Sequence, residues 1–318
     1  MCTAIAQGQL FGRNLDLEYG YHEKIVIMPR NYPLVFRKAS VFRSHFSIIG
    51  MAAVDRNYPL YFDAMNERGL CMAGLDFPDN AYYPPEKTDE MNIAPFELIP
   101  WVLCQCSTTA EARQLLQATH LADIPYGENF PQAPLHWIIA DRSSCLVVEP
   151  MVSGLQIYDH PVGVLCNNPP LPYHLYHLAE FQHLSAGDPP ALFENISLPI
   201  YGGGLGATGL PGDFSSPSRF IKAAFVKSHA HSEDRSPVTE FFHLMDTVAM
   251  PRGCVRVHGG KDEITRYTSC CDMHSICYYF VTYENRRIQA VNLWHGHLDD
   301  TEIECFDLLT VQDIFYKN

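Results

Sequence analysis

The chain has 318 residues, with 22 Lys and Arg against 36 Asp and Glu and a formal net charge of −14. That balance excludes a phosphate-binding nucleic-acid protein, which needs clustered Lys and Arg, and argues against adhesion to an anionic membrane surface. With 47% hydrophobic and 18% charged residues it is a folded chain with a large core, not a disordered one.

The first residues, MCTAIAQGQLFGRNLD, show no basic segment, long apolar segment or small-residue cleavage site of a signal peptide. No run of about 18 apolar residues occurs to span a bilayer. An odd count of 11 cysteines without an export signal reads as reduced thiols in the cytoplasm. Cys104 with Cys106, and Cys270 with Cys271, lack the paired knuckles of a structural zinc site. Most of these thiols are expected to be small buried hydrophobes.

Short strands dominate. Thr3–Ala6 and Gln9–Phe11 form a hairpin about Gln7-Gly8. Ile25–Met28, Ser47–Val54, Tyr61–Met65 and Leu70–Leu75 follow, the last two joined by a turn ending in Gly69. Thr108 and Glu111 form a capping box ahead of Ala112, Leu115 and Leu116. Ala94–Cys104 is predicted to be helical with a kink or break at Pro100. Further strands are predicted at His136–Ala140, Cys145–Glu149, Leu155–Tyr158 and Gly163–Cys166. Ser216-Pro217 and Ser236-Pro237 open two more helices. Cys277–Tyr283 and Ile288–Leu293 close the series. Hairpins without βαβ alternation predict layered α+β with largely antiparallel sheets. Pro84-Pro85, Pro169–Pro172 and Tyr201–Gly212 read as loops. None is an interdomain linker, so one domain is expected over residues 1–318.

Cys2 follows the initiator Met. If Met1 is removed, the thiol and a free α-amine share one residue. The amine, with an ordinary pKa of about 7.7–8.0, can take the thiol proton near neutrality. The alternative is an ordinary second residue of a first strand. Arg13 and Asp16 follow the first turn, where the chain can return past Cys2. A guanidinium stabilises thiolate and a carboxylate can orient the amine, although a surface ion pair is equally compatible with the spacing. Gly204–Gly209 matches GxGxxG, but neither a preceding strand nor a following helix supports a dinucleotide site, and a loop is expected. His174 with His177, His229 with His231 and His295 with His297 lack a matched third ligand. Asn167-Asn168-Pro169 ends a strand and reads as a turn.

Met1–Ala4, Phe11–Asp16, Ala73–Pro78, Leu135–Trp137, Leu165–Pro169, Gly209–Phe214 with Ser218–Phe220, and Tyr267–Cys270 fall in an order that resembles the choloylglycine hydrolase family, which contains bile salt hydrolases and penicillin V acylases. The similarity runs from Cys2 to about Glu304. It implies an N-terminal-nucleophile hydrolase with a four-layer αββα fold, two stacked antiparallel sheets between helices. The implied reaction is hydrolysis of a linear amide. Cys2 would be the nucleophile and its amine the base. Arg13 and Asp16 would flank the thiol, Asn167 and a backbone N–H near Asp76 would hold the oxyanion, and Arg219 would stabilise the charged centre. No cofactor or metal is implied, and the expected assembly is a homotetramer.

One position departs from the family. Asp76 stands where bile salt hydrolases usually carry Asn and penicillin acylases Tyr. An ionised Asp76 would oppose a forming oxyanion unless it is protonated or points away. Ala73–Pro78 and Ile124–Asn129 are more similar to bile salt hydrolases, so the expected substrate is a glycine- or taurine-conjugated bile salt. Penicillin V or an N-acyl homoserine lactone on the same fold is the rival, and a noncatalytic binder of amphipathic anions is another. Tyr19, Tyr82, Tyr83 and Phe130 could line an apolar slot or pack into the core. The net charge would repel an anionic substrate, so capture is expected to rest on apolar burial and local cations such as Arg219.

Overall fold

Apolar residues run almost unbroken through several strands because both faces of those strands are buried. The computed structural model describes residues 1–128, 130–189, 196, 198–231, 236–257 and 259–318. The strands are β1 (Cys2–Gln7), β2 (Leu10–Leu17), β3 (Lys24–Met28), β4 (Ile48–Asp55), β5 (Tyr58–Asn66), β6 (Cys71–Asp76), β7 (Met91–Ile93) and β8 (Thr119–Leu121). They continue with β9 (Leu135–Ala140), β10 (Cys145–Met151), β11 (Gly154–Asp159), β12 (Val164–Leu165), β13 (Ile264–Asp272), β14 (Cys277–Thr282), β15 (Gln289–Asn292) and β16 (Glu304–Asp307). The helices are α1 (Leu98–Leu103), α2 (Thr109–Gln117), α3 (Leu171–Ala179), α4 (Ser216–His229) and α5 (Pro237–Asp246).

Six strands pair in the order β12-β1-β2-β13-β14-β15 and eight in the order β11-β10-β9-β6-β5-β4-β3-β16. Every pairing in these two sheets is antiparallel, while β7 and β8 make a short parallel pair. In β3, Ile25 and Ile27 join the core shared by the two sheets, and Val26 and Met28 join the core beneath α1 and α2. In β9, Ile138 and Ala140 face the first core while Trp137 and Ile139 face the second. Period-2 alternation thus assigns each side chain to one of two cores. Burying each large apolar side chain contributes roughly 1.5–3 kcal/mol. Helices α4 and α5 cover the outer face of the six-stranded sheet, α1 covers the eight-stranded sheet, and α3 packs on α4. The result is the expected αββα stack. Among the described residues, no helix is long and apolar enough to cross a membrane.

Several elements differ from the sequence reading. The second strand runs to Leu17, beyond the predicted end at Phe11, so Arg13 and Asp16 are strand residues. Gly12 permits this, since a Cβ there would run into the Ser269 carbonyl of β13. Helix α1 starts only at Leu98, after a 3-10 turn at Pro95–Glu97, so Pro100 sits in its first turn and no kink is needed. Pro169–Pro172 is not all loop, because Pro172 lies in the first turn of α3. The segment Gly204–Gly209 is a turn, with left-handed Gly204 (φ +81°) and Gly209 (φ +95°) and a 3-10 turn between them. Residue Asn129 of the Ile124–Asn129 stretch lies outside the described residues. Cys254 and Cys305 are exposed and Cys145 is half-buried; the other cysteines are buried, and all are free thiols.

At the start of α2, the Thr108 hydroxyl accepts from the Glu111 N–H (3.2 Å), and the Glu111 carboxylate accepts from the Ser107 N–H (2.6 Å). Thr108→Ala is expected to cost about 1 kcal/mol of stability, read as a lower urea midpoint with unchanged slope. A shift in slope would show that more than the helix end had been disturbed.

Candidate active site

Cys2 is the first residue of β1 and only 2% exposed. It pairs with Leu15, and Ala4 pairs with Arg13, so register brings the Arg13 side chain beside the thiol on the face between the sheets. Arg13 Nη2 donates to Cys2 Sγ. Its Nη1 donates to the carbonyls of Gly74 (2.5 Å) and Phe62 (3.2 Å), which fixes the guanidinium against the sulfur.

Asp16 and Arg219 lie on the other face of the same sheet. Asp16 Oδ1 accepts from Thr265 Oγ1 (2.5 Å), and its Oδ2 lies 4.0 Å from Arg219 Nη1. Burial raises the Asp16 carboxyl above the usual carboxylate range, against the pull of Arg219. Arg219 reaches from α4 to donate to the Cys2 carbonyl (2.5 Å), Thr3 Oγ1 (2.6 Å), Asn167 Oδ1 (2.8 Å) and the Phe214 carbonyl (3.0 Å). With four donor contacts and 1% exposure, Arg219 is buried behind the strand and is not among the residues that line the cavity. The cation in the cavity wall is Arg13.

Asn167 links these groups. Its Oδ1 accepts from the Cys2 N–H (2.7 Å) and its Nδ2 donates to the Asp76 carbonyl (2.7 Å). The turn expected at Asn167 is also a working amide donor. Its backbone is anchored by two histidines. His136 bonds the Cys166 carbonyl (2.8 Å) and His174 the Asn167 carbonyl (3.0 Å). Burial pushes His174 down to about 4, so it is a neutral imidazole donating from Nε2. Neither was singled out as a positioning group from sequence. His174 is thereby removed from any pairing with His177, and among the described residues no cluster of three or more His, Cys, Asp and Glu could hold a metal ion.

The described chain includes Met1. Its amine binds the Glu263 carboxylate and the Asp16 carbonyl (2.7 Å), and its carbonyl accepts from the Asp16 N–H (2.9 Å). Met1 therefore prolongs the β1–β2 ladder, and the nitrogen of Cys2 is a peptide amide in this form of the chain.

Cys2, Arg13, Gly74 and Asp76 form one wall of a cavity of about 410 Å³. Of the four aromatics that could line a slot or pack into the core, Tyr19 and Phe130 line the cavity, and Tyr82 and Tyr83 do not. Tyr82 is exposed, and the Tyr83 hydroxyl accepts from the Leu135 N–H (2.8 Å). Leu17, Tyr21, Phe62 and Tyr126 complete the apolar walls. Tyr21 stacks on Phe130 and lies tilted against Phe62, with ring centroids 6.2 and 5.6 Å away. Asp76 and Glu18 both line this space, and burial raises the Asp76 carboxyl.

The chain is similar to known proteins in both sequence and fold. The model of the linear amide C–N hydrolases, choloylglycine hydrolase family, matches residues 2–306. A bile salt hydrolase/transferase from Lactiplantibacillus plantarum is 46% identical over 100% of both chains. One from Clostridium perfringens is 36% identical over 96% of each. The crystal structure of a mutant conjugated bile acid hydrolase from Clostridium perfringens superposes with a TM-score of 0.93 at 34% identity, covering 100% of both chains. Penicillin V acylase from Agrobacterium tumefaciens shares the fold with a TM-score of 0.77 at 17% identity, over 98% of this chain and 92% of that one. Similarity of this extent, end to end and in both sequence and fold, assigns the chain to the choloylglycine hydrolase family of linear amide C–N hydrolases, with the αββα fold of N-terminal-nucleophile enzymes.

Proposed function

We propose that this enzyme hydrolyses the amide bond of glycine- or taurine-conjugated bile salts, with Cys2 as nucleophile after Met1 has been removed. The observation that carries the reading is the Cys2 sulfur, held by Arg13, at the wall of an aromatic-lined cavity of about 410 Å³. Relatives named for bile salts and conjugated bile acids support the substrate class.

Removal of Met1 converts the Cys2 nitrogen into an amine, with Asn167 Oδ1 as its acceptor. The amine takes the thiol proton, and the thiolate attacks the amide carbon. Negative charge moves to the carbonyl oxygen. The second Asn167 Nδ2 hydrogen, not used on the Asp76 carbonyl, and a backbone N–H near Asp76 are the proposed oxyanion donors. The ammonium then protonates the leaving nitrogen, the C–N bond breaks and a thioester remains. Water, deprotonated by the same amine, attacks the thioester, and the thiolate leaves. Asp16 and Arg219 act from behind, by orienting the β1 backbone and the Asn167 carboxamide. Apolar walls hold the substrate, since the net charge of −14 opposes approach of an anion and Arg13 is itself buried and engaged with Cys2, Gly74 and Phe62. We also read the enzyme as one domain of residues 1–318, acting in the cytoplasm as a homotetramer. Exposed Leu198, Ile200 and Tyr201 support self-association.

Rates on glycocholate, taurocholate and penicillin V test the substrate class. A decisive preference for penicillin V overturns it, and absence of turnover with all amides, despite binding, favours a noncatalytic binder.

Asp76→Asn is expected to retain or raise kcat/KM. The change removes a carboxylate from the oxyanion's surroundings, and the gain should be largest at neutral pH. Burial raises the Asp76 pKa, so acidification neutralises the native side chain and the advantage fades toward the acid side. A loss above about tenfold would show that the carboxylate is required.

A further inference from the structure

Arg13 is a fully buried cation, and a buried guanidinium needs a counter-charge. The thiol of Cys2 supplies one only while it is ionised. Asp16 lies on the opposite face of β2, engaged with Thr265 and Arg219. A third acid, Asp63 of β5, is completely buried between the sheets. Its carboxylate accepts from Ser269 Oγ (2.9 Å) and the hydroxyls of Tyr278 (2.5 Å) and Tyr267. These donors come from β13 and β14 of the opposite sheet. Two further bonds tie the cluster to Arg13. Ser269 Oγ accepts from the Arg13 backbone N–H (3.1 Å), and the carbonyl of Phe62, next to Asp63, accepts from Arg13 Nη1 (3.2 Å).

We infer that Asp63 is a positioning residue for the nucleophile: through Ser269 and the Phe62 carbonyl it helps hold Arg13 in place against Cys2, and its nearby negative charge governs how readily the thiol gives up its proton. The inference rests on the proposed role of Cys2. Burial works against both charges, and each partner opposes that effect in the other. When Cys2 ionises, two anions share one cation. Removing the Asp63 charge must therefore make the thiol more acidic, while loosening the guanidinium that aligns it.

The remaining ionisable neighbours stay constant in such a variant. Tyr267 and Cys271 of β13 and Tyr278 of β14 face Asp63. At the Cys2 end stand Asp76, Cys166 and Arg219.

The test uses the mature full-length enzyme and reads two quantities. One is the pH midpoint of Cys2 alkylation by iodoacetamide, followed on the N-terminal peptide by mass spectrometry. The other is kcat on glycocholate. Asp63→Asn is expected to move the midpoint to lower pH by roughly half a unit or more and to lower kcat about tenfold. Tyr278→Phe keeps the charge and weakens only its anchorage, so kcat falls with less movement of the midpoint. An unmoved or raised midpoint in Asp63→Asn overturns the inference. If Asp63→Asn does not fold, Asp63→Asn with Arg13→Met decides. Restored folding supports a charge pair, because both buried charges leave together; a double variant that stays unfolded overturns it. Alkylation reports on the thiol without any substrate, so a mistaken substrate class leaves this readout intact. Absence of selective labelling at Cys2 of the wild-type enzyme would instead defeat the nucleophile assignment.

Discussion

Cys2→Ala is expected to lower amide hydrolysis by about 10⁴-fold or more, and retention of Met1 to do the same with the thiol intact. The two losses have different causes. Alanine removes the atom that forms the thioester. Retained Met1 leaves the atom but makes the adjacent nitrogen an amide, whose lone pair is delocalised into the carbonyl and is no base near neutrality. With Met1 in the chain, the terminal amine belongs to Met1 and not to Cys2. It sits on Glu263 and the Asp16 carbonyl, one residue beyond the thiol's own nitrogen. Intact mass distinguishes the two forms, and turnover of conjugated bile salts measured beside it gives the rates. Full activity in a preparation that retains Met1 would remove the α-amine from the mechanism.

Asn167→Ala is expected to lower kcat by about 10²–10³-fold with a much smaller change in KM, the usual consequence of losing an oxyanion donor. This side chain also accepts from the Cys2 N–H and Arg219, and donates to the Asp76 carbonyl. Asn167→Asp separates these tasks. It keeps an acceptor for the Cys2 nitrogen and Arg219 but removes the amide donor, so it should be as impaired as the alanine variant. Steady-state kinetics on glycocholate decide it. If the aspartate variant retained more than about a fifth of wild-type kcat, the donor would lie elsewhere in the cavity.

The proposed sites differ in how far they could be read along the chain. Cys2 was legible because its chemistry depends on position two. Arg13 and Asp16 were close enough in sequence to be placed near it through one hairpin, though they sit on opposite faces of β2. Strand β13 was not predicted as an element, and Thr265 lies 249 residues from its partner Asp16. Asp63 carried no local signal at all. It is a lone acid in an apolar strand, and its partners Ser269 and Tyr278 are 206 and 215 residues away.

Two kinds of information are therefore distinct in this protein. The amino-acid sequence determined what short-range physics controls: alternating strands joined by tight turns, helix starts set by Thr108, Pro217 and Pro237, an acidic chain without basic patches, and a thiol one residue from the start. Tertiary structure decided which buried polar groups meet. Stacking two sheets carries Asp63 toward Arg13, the pairing of β12 with β1 brings Asn167 to the Cys2 nitrogen, and the packing of α4 brings Arg219 to both residues, over separations no periodicity encodes. It also moved Arg219 out of the cavity and Tyr21 into its wall. Hydrophobic patterning is blind to these choices. It specifies which face is buried, whereas the energy of a buried charge depends on the one partner that reaches it.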